Sequence, residues 1–383
     1  MGRVTIILIN YNNYLDTIEC LESLLRIEFP DYQVIVIDNN STNDSCGKII
    51  GWLKGEIKPD LSSSNLKELV NPPLSKPVPY IYYDFICNEF LAKGEGVPVG
   101  SAVSSGQKVT MGLRLVLIRL SLNLGFSGAN NIGIKFAMNN FPQEYFWFLN
   151  NDTVVEKSTL KEMLTTMNSG STIGAVGSKI LYYDKPDVIQ CLGGGEIKWN
   201  YDISPYKGKR DSEPYDREIT GYITGSSLLI KKEIVEKVGL WDEIFFMLFE
   251  DLDYSLRIRG CGYKLYLSAR SRVFHKEGAS TNRVITTKYF LGRETQRISF
   301  EGFYIVGYYG IRNWIYFNRK HKSLFLKISY CFLLLPFYFL GTIIFISIFD
   351  DKKIQRSKIV AAAFRDGLIN KMGYAQIEER VFS

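Results

Sequence analysis

The 383-residue chain, 46% hydrophobic and 22% charged, carries enough apolar material for one large core or two modest ones, which excludes a disordered protein. Its net charge of +6 is spread along the sequence, which suits a phosphate ligand or an acidic lipid surface and is too diffuse for nucleic acid. The six cysteines include no CxxC pair, so neither a zinc finger nor a disulfide framework is indicated.

Residues 4–9 form an apolar, β-branched run that reads as a buried parallel strand. The run is too short for a signal peptide, and the expected compartment is the cytoplasm. In the next stretch Leu15, Ile18, Leu21, Leu24 and Leu25 fall on one helical face, and residues 33–37 (QVIVI) are a second strand. Strand, helix and strand make a βαβ unit with parallel strands. Further strands are predicted at 113–120, 145–149 and 174–181, with helices at 129–139 and 158–167. Between about 51 and 111 the periodicity fails. LSSSN, NPPLSKPVP and KGEGVPVGSAVSSGQ are loop chemistry, read as an insertion into an α/β domain. Toward the C-terminus residues 328–349 run without a charge, interrupted by Pro336 and Gly341. The length suits a membrane span. The flanks, however, are equally basic: Arg319, Lys320, Lys322 and Lys327 before, and Lys352, Lys353, Arg356 and Lys358 after. That symmetry, with a bend at Pro336, predicts a segment that enters the membrane and returns, leaving both ends in the cytoplasm.

Four polar clusters stand out, three of them where strands end. Asp38, in DNNST, lies at the carboxyl end of the second strand, where open α/β sheets bind ligands. It could accept a hydrogen bond from a ribose hydroxyl or a pyrimidine imide; an Asp capping the next turn would give the same pattern. NLGFSGANN, residues 123–131, joins a strand to a helix, and Gly125 and Gly128 allow a diphosphate to approach the helix N-terminus. Asn150, Asn151 and Asp152 follow the apolar YFWFL, and a carboxylate there can hold Mg²⁺ or Mn²⁺ together with diphosphate oxygens. The densest cluster is Asp242 and Glu243 followed by Glu250, Asp251 and Asp253, the last three in the first turn of a short predicted helix closed by Gly260. A general base must be ionised and within reach of the acceptor hydroxyl. His275, one of two histidines, ends a strand-like run.

Taken in order, INYNN, VIDNNSTNDS, NLGFSGANNIGI, FLNNDT, the long ITGSSLLIKKEIVEKVGLWDEIFFMLFEDLDYSLRIRGCGYKL and FHKEGAS resemble family 2 inverting glycosyltransferases of the GT-A fold, especially the rhamnosyltransferase-like branch. YYGIRN (308–313) and AAFRDGLINKMG also look like that branch. The resemblance implies a GT-A α/β domain over 1–285, a C-terminal apolar helical module over 286–383, and a UDP- or dTDP-linked sugar donor. It implies donor contacts from Asn10, Tyr11, Asn12, Asp38, Asn40, Asn123, Gly125, Asn130 and Asn151. Asp152 and His275 would hold the metal, and Asp251, with Glu250 beside it, would be the catalytic base. One departure is Asn150, which stands where the first acid of a DxD motif is expected.

The sequence thus reads as a metal-assisted inverting glycosyltransferase acting at the cytoplasmic face of a membrane on a lipid-linked or glycan acceptor. A sugar nucleotidyltransferase would need a Gly-rich triphosphate loop near the N-terminus, and INYNNYLD supplies none. A catalytically silent scaffold that binds nucleotide sugars within a glycan-assembly complex is the alternative, with Asn150 in its favour.

Overall fold

The computed structural model describes residues 2–61, 64–95, 115–198, 201–203, 206–212, 215–276, 285–290, 293–298, 300–322, 334–350 and 352–377. The chain forms two compact units. One is Met1–Trp241 with Tyr254–Glu277, and the other is Asp242–Asp253 with Gly278–Ser383.

The strands of the first unit begin with β1 (Val4–Asn10), β2 (Tyr32–Asp38), β3 (Tyr80–Ile86), β4 (Glu89–Glu95), β5 (Leu115–Leu120) and β6 (Tyr145–Asn150). They continue with β7 (Thr153–Val155), β8 (Ile173–Tyr182), β9 (Lys185–Leu192), β10 (Gly194–Lys198) and β11 (Tyr201–Ile203). The last are β12 (Arg217–Ile219), β13 (Tyr222–Ile223), β14 (Ser227–Lys231) and β15 (Lys264–His275). The helices are α1 (Tyr14–Leu24), α2 (Ser45–Lys54), α3 (Lys67–Val70), α4 (Gly125–Asn140), α5 (Thr159–Asn168), α6 (Lys232–Val238) and α7 (Glu250–Gly260), whose first turn belongs to the second unit.

The main sheet runs β12-β15-β8-β14-β6-β1-β2-β5-β3-β4, with β7 added on β15 and β9 on β8. β6, β1, β2, β5 and β3 are parallel, and β14 runs antiparallel between β6 and β8. Strand alternation splits the core in two. Ile6, Leu8, Val34 and Val36 pack with Leu21 of α1, Trp52 of α2 and Leu164 of α5. Ile7, Ile35, Ile37 and Val116 pack with Ile134 and Phe136 of α4 on the other face. Strands covered on both sides need no polar alternation, which is why their sequences are continuous apolar runs. In parallel strands every carboxyl end lies along one edge. Asn10 is in register with Asp38, Ile9 with Asn150, and Asp38 with Arg119.

The stretch expected to be an unstructured insertion is largely ordered. α2 continues through Lys54, and β3 and β4 widen the sheet by a parallel and then an antiparallel strand. The physical reason is β-propensity: YIYYDFI is aromatic and β-branched, and strand pairing outweighs the prolines and glycines around it. Part of the expected insertion, 96–114, lies outside the described residues, as do the first two residues of the strand predicted at 113–120.

The second unit holds a hairpin, β16 (Ile285–Phe290) with β17 (Arg293–Ile298), and the helices α8 (Phe300–His321), α9 (Leu335–Phe349) and α10 (Lys353–Leu368). Tyr308, Ile315, Ile359, Ala363 and Phe364 form its core. The bend expected at Pro336 depends in part on residues before 334, which lie outside the described residues. Pro336 stands in the first turn of α9, where a missing N–H leaves no helical bond unmade, and the helix runs on through Gly341. Residues 323–333, including the start of the expected membrane segment, lie outside the described residues. No helix among the described residues is long and apolar enough to cross a membrane.

Candidate active site

Asn10, the last residue of β1, donates through Nδ2 to Asp38 Oδ1 (2.6 Å) and Ser41 Oγ (3.1 Å). Ser41 Oγ in turn donates to Asp38 Oδ1 (2.6 Å), and Ser41 N donates to Asp38 Oδ2 (3.2 Å). The Asp38 carboxylate therefore ties two strand ends together, and the residue is fully buried. Asn12 and Asn40 both adopt left-handed backbone, with φ of 57° and 59°. Asn is among the side chains that tolerate this region best. Asn12 Oδ1 accepts from Thr42 N (2.7 Å), which locks the loop after β1 onto the loop after β2. Tyr11 is half-buried on the first of those loops.

The glycine loop before α4 is joined to the same edge. Asn39 Nδ2 donates to Asn123 Oδ1 (2.9 Å) and to Gly125 O (3.2 Å), and Gly125, at φ 69°, takes the conformation that glycine enters freely. Asn130 does not join this group: it lies inside α4, and its Nδ2 donates to Phe126 O (3.0 Å). Asn151 donates to Thr17 Oγ1 (2.9 Å) on α1, and Thr17 donates to Asn10 Oδ1 (2.9 Å), so the polar turn after β6 is held to the end of β1.

Asp152 and His275 meet. His275 ends β15, is in register with Thr153 of β7, and places Nε2 3.1 Å from Asp152 Oδ1. Its Nδ1 lies 2.7 Å from Gln190 Oε1, and Asn150 Nδ2 lies 3.4 Å from Nε2. A protonated ring donates from Nδ1 to Gln190 and from Nε2 to Asp152, whereas a neutral ring with its hydrogen on Nδ1 turns the Nε2 lone pair toward that carboxylate. Two acceptors in contact are satisfied by a shared cation or by a second proton on the ring. Burial alone would raise the Asp152 carboxyl, but the imidazole beside it, with help from the Lys276 ammonium, holds it below its ordinary value. An imidazole and a carboxylate are a donor set suited to a divalent ion, and Gln190 supplies the outer partner that such a histidine normally has. Among the described residues no group of three or more His, Cys, Asp or Glu side chains is disposed to hold a metal, so further ligands would come from substrate and water.

The acids of α7 differ in environment. Asp253 is fully buried and paired with Lys320 Nζ (2.6 Å) and His321 Nε2 (2.7 Å). Glu250 is buried with its Oε2 unbonded. Desolvation, and the repulsion of Asp251 next to it, push its carboxyl well above the usual range, which disfavours its ionised form. Asp251 is only half-buried, and its Oδ1 accepts from Leu252 N (2.9 Å).

Several participants gave no signal in the sequence. Thr17 and Gln190 sit 7 and 85 residues from their partners. Ser41 could have been found, since a Ser three residues after an Asp commonly returns a hydrogen bond to it. Arg119 is exposed at the carboxyl end of β5 and hydrogen-bonded to Tyr82, whose hydroxyl donates to Asp84 Oδ1 (2.7 Å).

The sequence model described as Glycosyl transferase family 2 matches residues 5–57 and 103–239, the stretches that carry Asn10, Asp38, Gly125 and Asp152. The chain belongs to that family. Its mostly parallel sheet with helices on both faces is the expected GT-A architecture. Over 140 residues the chain is 26% identical to the low-salt glycan biosynthesis hexosyltransferase Agl10 of Haloferax volcanii, covering 36% of this chain and 44% of that one. It is 22% identical over 213 residues to the dTDP-rhamnosyl transferase RfbF of Shigella flexneri, covering 55% of this chain and 66% of that one. A 71-residue stretch is 34% identical to the N-acetylglucosaminyl-diphospho-decaprenol L-rhamnosyltransferase of Mycobacterium tuberculosis, covering 18% of this chain and 23% of that one. The chain thus spans less than two thirds of Agl10 and of the mycobacterial enzyme.

Proposed function

We propose that this protein transfers a sugar from a UDP- or dTDP-linked donor to a glycan or lipid-linked acceptor, inverting the anomeric centre. The observation that carries the reading is the edge formed by Asn10, Asp38, Asn151, Asp152 and His275, which gathers nucleotide-binding and metal-binding chemistry on three adjacent parallel strands and β15. In this reading Tyr11, Asn12, Asp38 and Asn40 frame the nucleoside, and the loop of Asn123 and Gly125 at the start of α4 receives the diphosphate. A divalent cation, Mg²⁺ or Mn²⁺, bound by Asp152 and His275 supplies charge neutralisation for the departing diphosphate. Asp251, the half-buried acid of a helix turn in which Asp253 is committed to an ion-pair cluster and Glu250 is buried, takes the proton of the acceptor hydroxyl as that oxygen attacks the anomeric carbon. The names of RfbF and of the mycobacterial relative support the dTDP-sugar donor and the lipid-linked acceptor.

The test is to incubate the purified chain with UDP-, dTDP- and GDP-sugars and Mn²⁺ and to measure nucleoside-diphosphate release. Release from a UDP- or dTDP-sugar is the expected result. Tight binding with no release, even with lipid-linked acceptors present, would replace this reading by the scaffold reading that Asn150 favours. Within the same assay Asp152→Ala is expected to abolish the Mn²⁺ dependence of donor binding. Donor affinity indifferent to both EDTA and this substitution would remove the metal from the proposal.

The membrane belongs to the same proposal. α9 is about 22 Å long at 1.5 Å per residue, short of the ~30 Å hydrocarbon core. It exposes Phe337, Leu340, Ile344, Phe345 and Ile348, with Lys352 and Lys353 following. Such a surface suits lying in the interface of an anionic bilayer at its cytoplasmic face. Ile344→Glu with Ile348→Glu is expected to weaken co-flotation with phosphatidylglycerol-containing vesicles about tenfold or more, the scale of losing buried apolar side chains. Undiminished flotation would show that another surface binds the lipid.

A further inference from the structure

The segment leading into α7 is held in a conformation its residues do not favour. Phe246, Leu248 and Phe249 have φ of 62°, 67° and 75°, and none is a glycine or an asparagine. Bulky side chains are genuine outliers there, so the surroundings must impose the shape. What imposes it lies in the same unit, on α8. Asn313, fully buried, directs Nδ2 at three carbonyl oxygens of this segment: Phe245 O (2.8 Å), Met247 O (2.7 Å) and Leu248 O (2.8 Å). Arg312, also fully buried, donates from Nη2 to Phe245 O (3.3 Å) and from Nη1 to Gly373 O (2.7 Å). Gly373 N closes the ring by donating to Ile244 O (3.1 Å). The turned segment ends on Phe249, whose carbonyl accepts the Asp253 N–H (2.9 Å), so its backbone fixes the first turn of α7 and with it the direction of Asp251.

We propose that Arg312 and Asn313 are positioning residues that gather the inward-turned carbonyls of 245–248 and so aim the Asp251 carboxylate for catalysis. The inference rests on Asp251 being the base. It assigns a task to residues of YYGIRN and of the glycine-ended INKMG, which no part of the nucleotide-binding edge explains. An arginine beside an asparagine suits the task, since between them they offer several N–H groups and no acceptor but one amide oxygen. That oxygen is itself engaged, accepting from Arg312 Nε (3.0 Å).

The test uses the full chain and four variants: Asp251→Asn, Asn313→Ala, Asn313→Asp and the double variant Asp251→Asn/Asn313→Ala. Asn313→Ala is expected to lower kcat for nucleoside-diphosphate release about 10²-fold, as a misaimed catalytic group does, with KM for the donor and the Kd of UDP with Mn²⁺ unchanged. The double variant is expected to be no slower than Asp251→Asn alone, because the two residues act as one device. Asn313→Asp keeps the volume, so a folded but slow enzyme there supports the same conclusion if Asn313→Ala fails to fold. Losses that multiply in the double variant, or a UDP affinity that falls along with kcat, would make Asn313 merely structural and overturn the inference. An Asp251→Asn variant that remains fast would instead refute the base assignment, whatever Asn313 does.

Discussion

Asp251→Asn should reduce sugar transfer by about 10²-fold or more, the usual scale for removing a general base, while UDP binding stays at its wild-type level. The expectation follows from comparing the three acids in the first turn of α7. Asp253 is committed to Lys320 and His321 and is fully buried, so its removal would disturb an ion-pair cluster before it touched any chemistry. Glu250 is buried, and desolvation and the charge next to it push its carboxyl up, which disfavours the ionised form a base needs. That leaves Asp251, which is partly open to solvent in the first turn of the helix. Glu250→Gln, a near-isosteric change at a buried side chain, should keep most of the turnover. The measurement is nucleoside-diphosphate release with saturating donor, alongside a UDP titration. If Asp251→Asn stays fast and Glu250→Gln is slow, the roles are exchanged and the burial argument fails.

Much of the polar carboxyl edge of the sheet was readable because parallel strands convert sequence into position. A run such as YFWFL can only be buried, so the polar residues that follow must emerge at the carboxyl edge, and Asn150–Asp152 do. The same logic places Asp38 beside Asn10. What could not be read was everything fixed by chain reversal over long separations. Gln190 behind His275, Thr17 beneath Asn151 and Asn313 under the strained segment are ordinary polar residues until the fold closes. Two expectations rested on local composition. The stretch rich in proline and glycine hid the YIYYDFI strand, and Pro336, expected in mid-segment, stands in the first turn of the described helix. In both cases composition was weighed over position, and position decides what a proline does.

Glu22→Ala should be the most damaging single change in the first unit, at about 3–5 kcal/mol, the range for leaving the partners of a buried ion pair uncompensated. Glu22 is fully buried on α1, and its carboxylate is a junction between three segments. It accepts from Trp52 Nε1 of α2 (3.0 Å), from Arg26 Nη2 one turn along its own helix (2.9 Å), and from Leu74 N (2.8 Å). Lys76 Nζ lies 3.6 Å from it and 3.3 Å above the Trp52 ring. Arg26 reaches on to the Val70 carbonyl (3.3 Å) and to that of Pro72. The carboxylate thus holds residues 70–76, the approach to β3, against α1 and α2. Alanine would strand a guanidinium, an indole N–H and a backbone N–H, and would leave Lys76 without its counter-charge. Burial already draws the Lys76 pKa down to about 8, so a lysine deprived of Glu22 has still less reason to stay charged. For a unit of this size each kcal/mol moves Tm by about 2–4 °C, so the midpoint should fall by roughly 6–20 °C. Glu22→Gln retains an acceptor for the indole and the Leu74 amide and should lose about half as much. Glu22→Met combined with Arg26→Met should recover part of the loss, because replacing both members of a buried pair by apolar groups avoids the stranded charge. Thermal unfolding of the three variants, followed by circular dichroism, distinguishes the cases. A Glu22→Ala midpoint within a degree or two of wild type would mean that water reaches this site and that the junction contributes little.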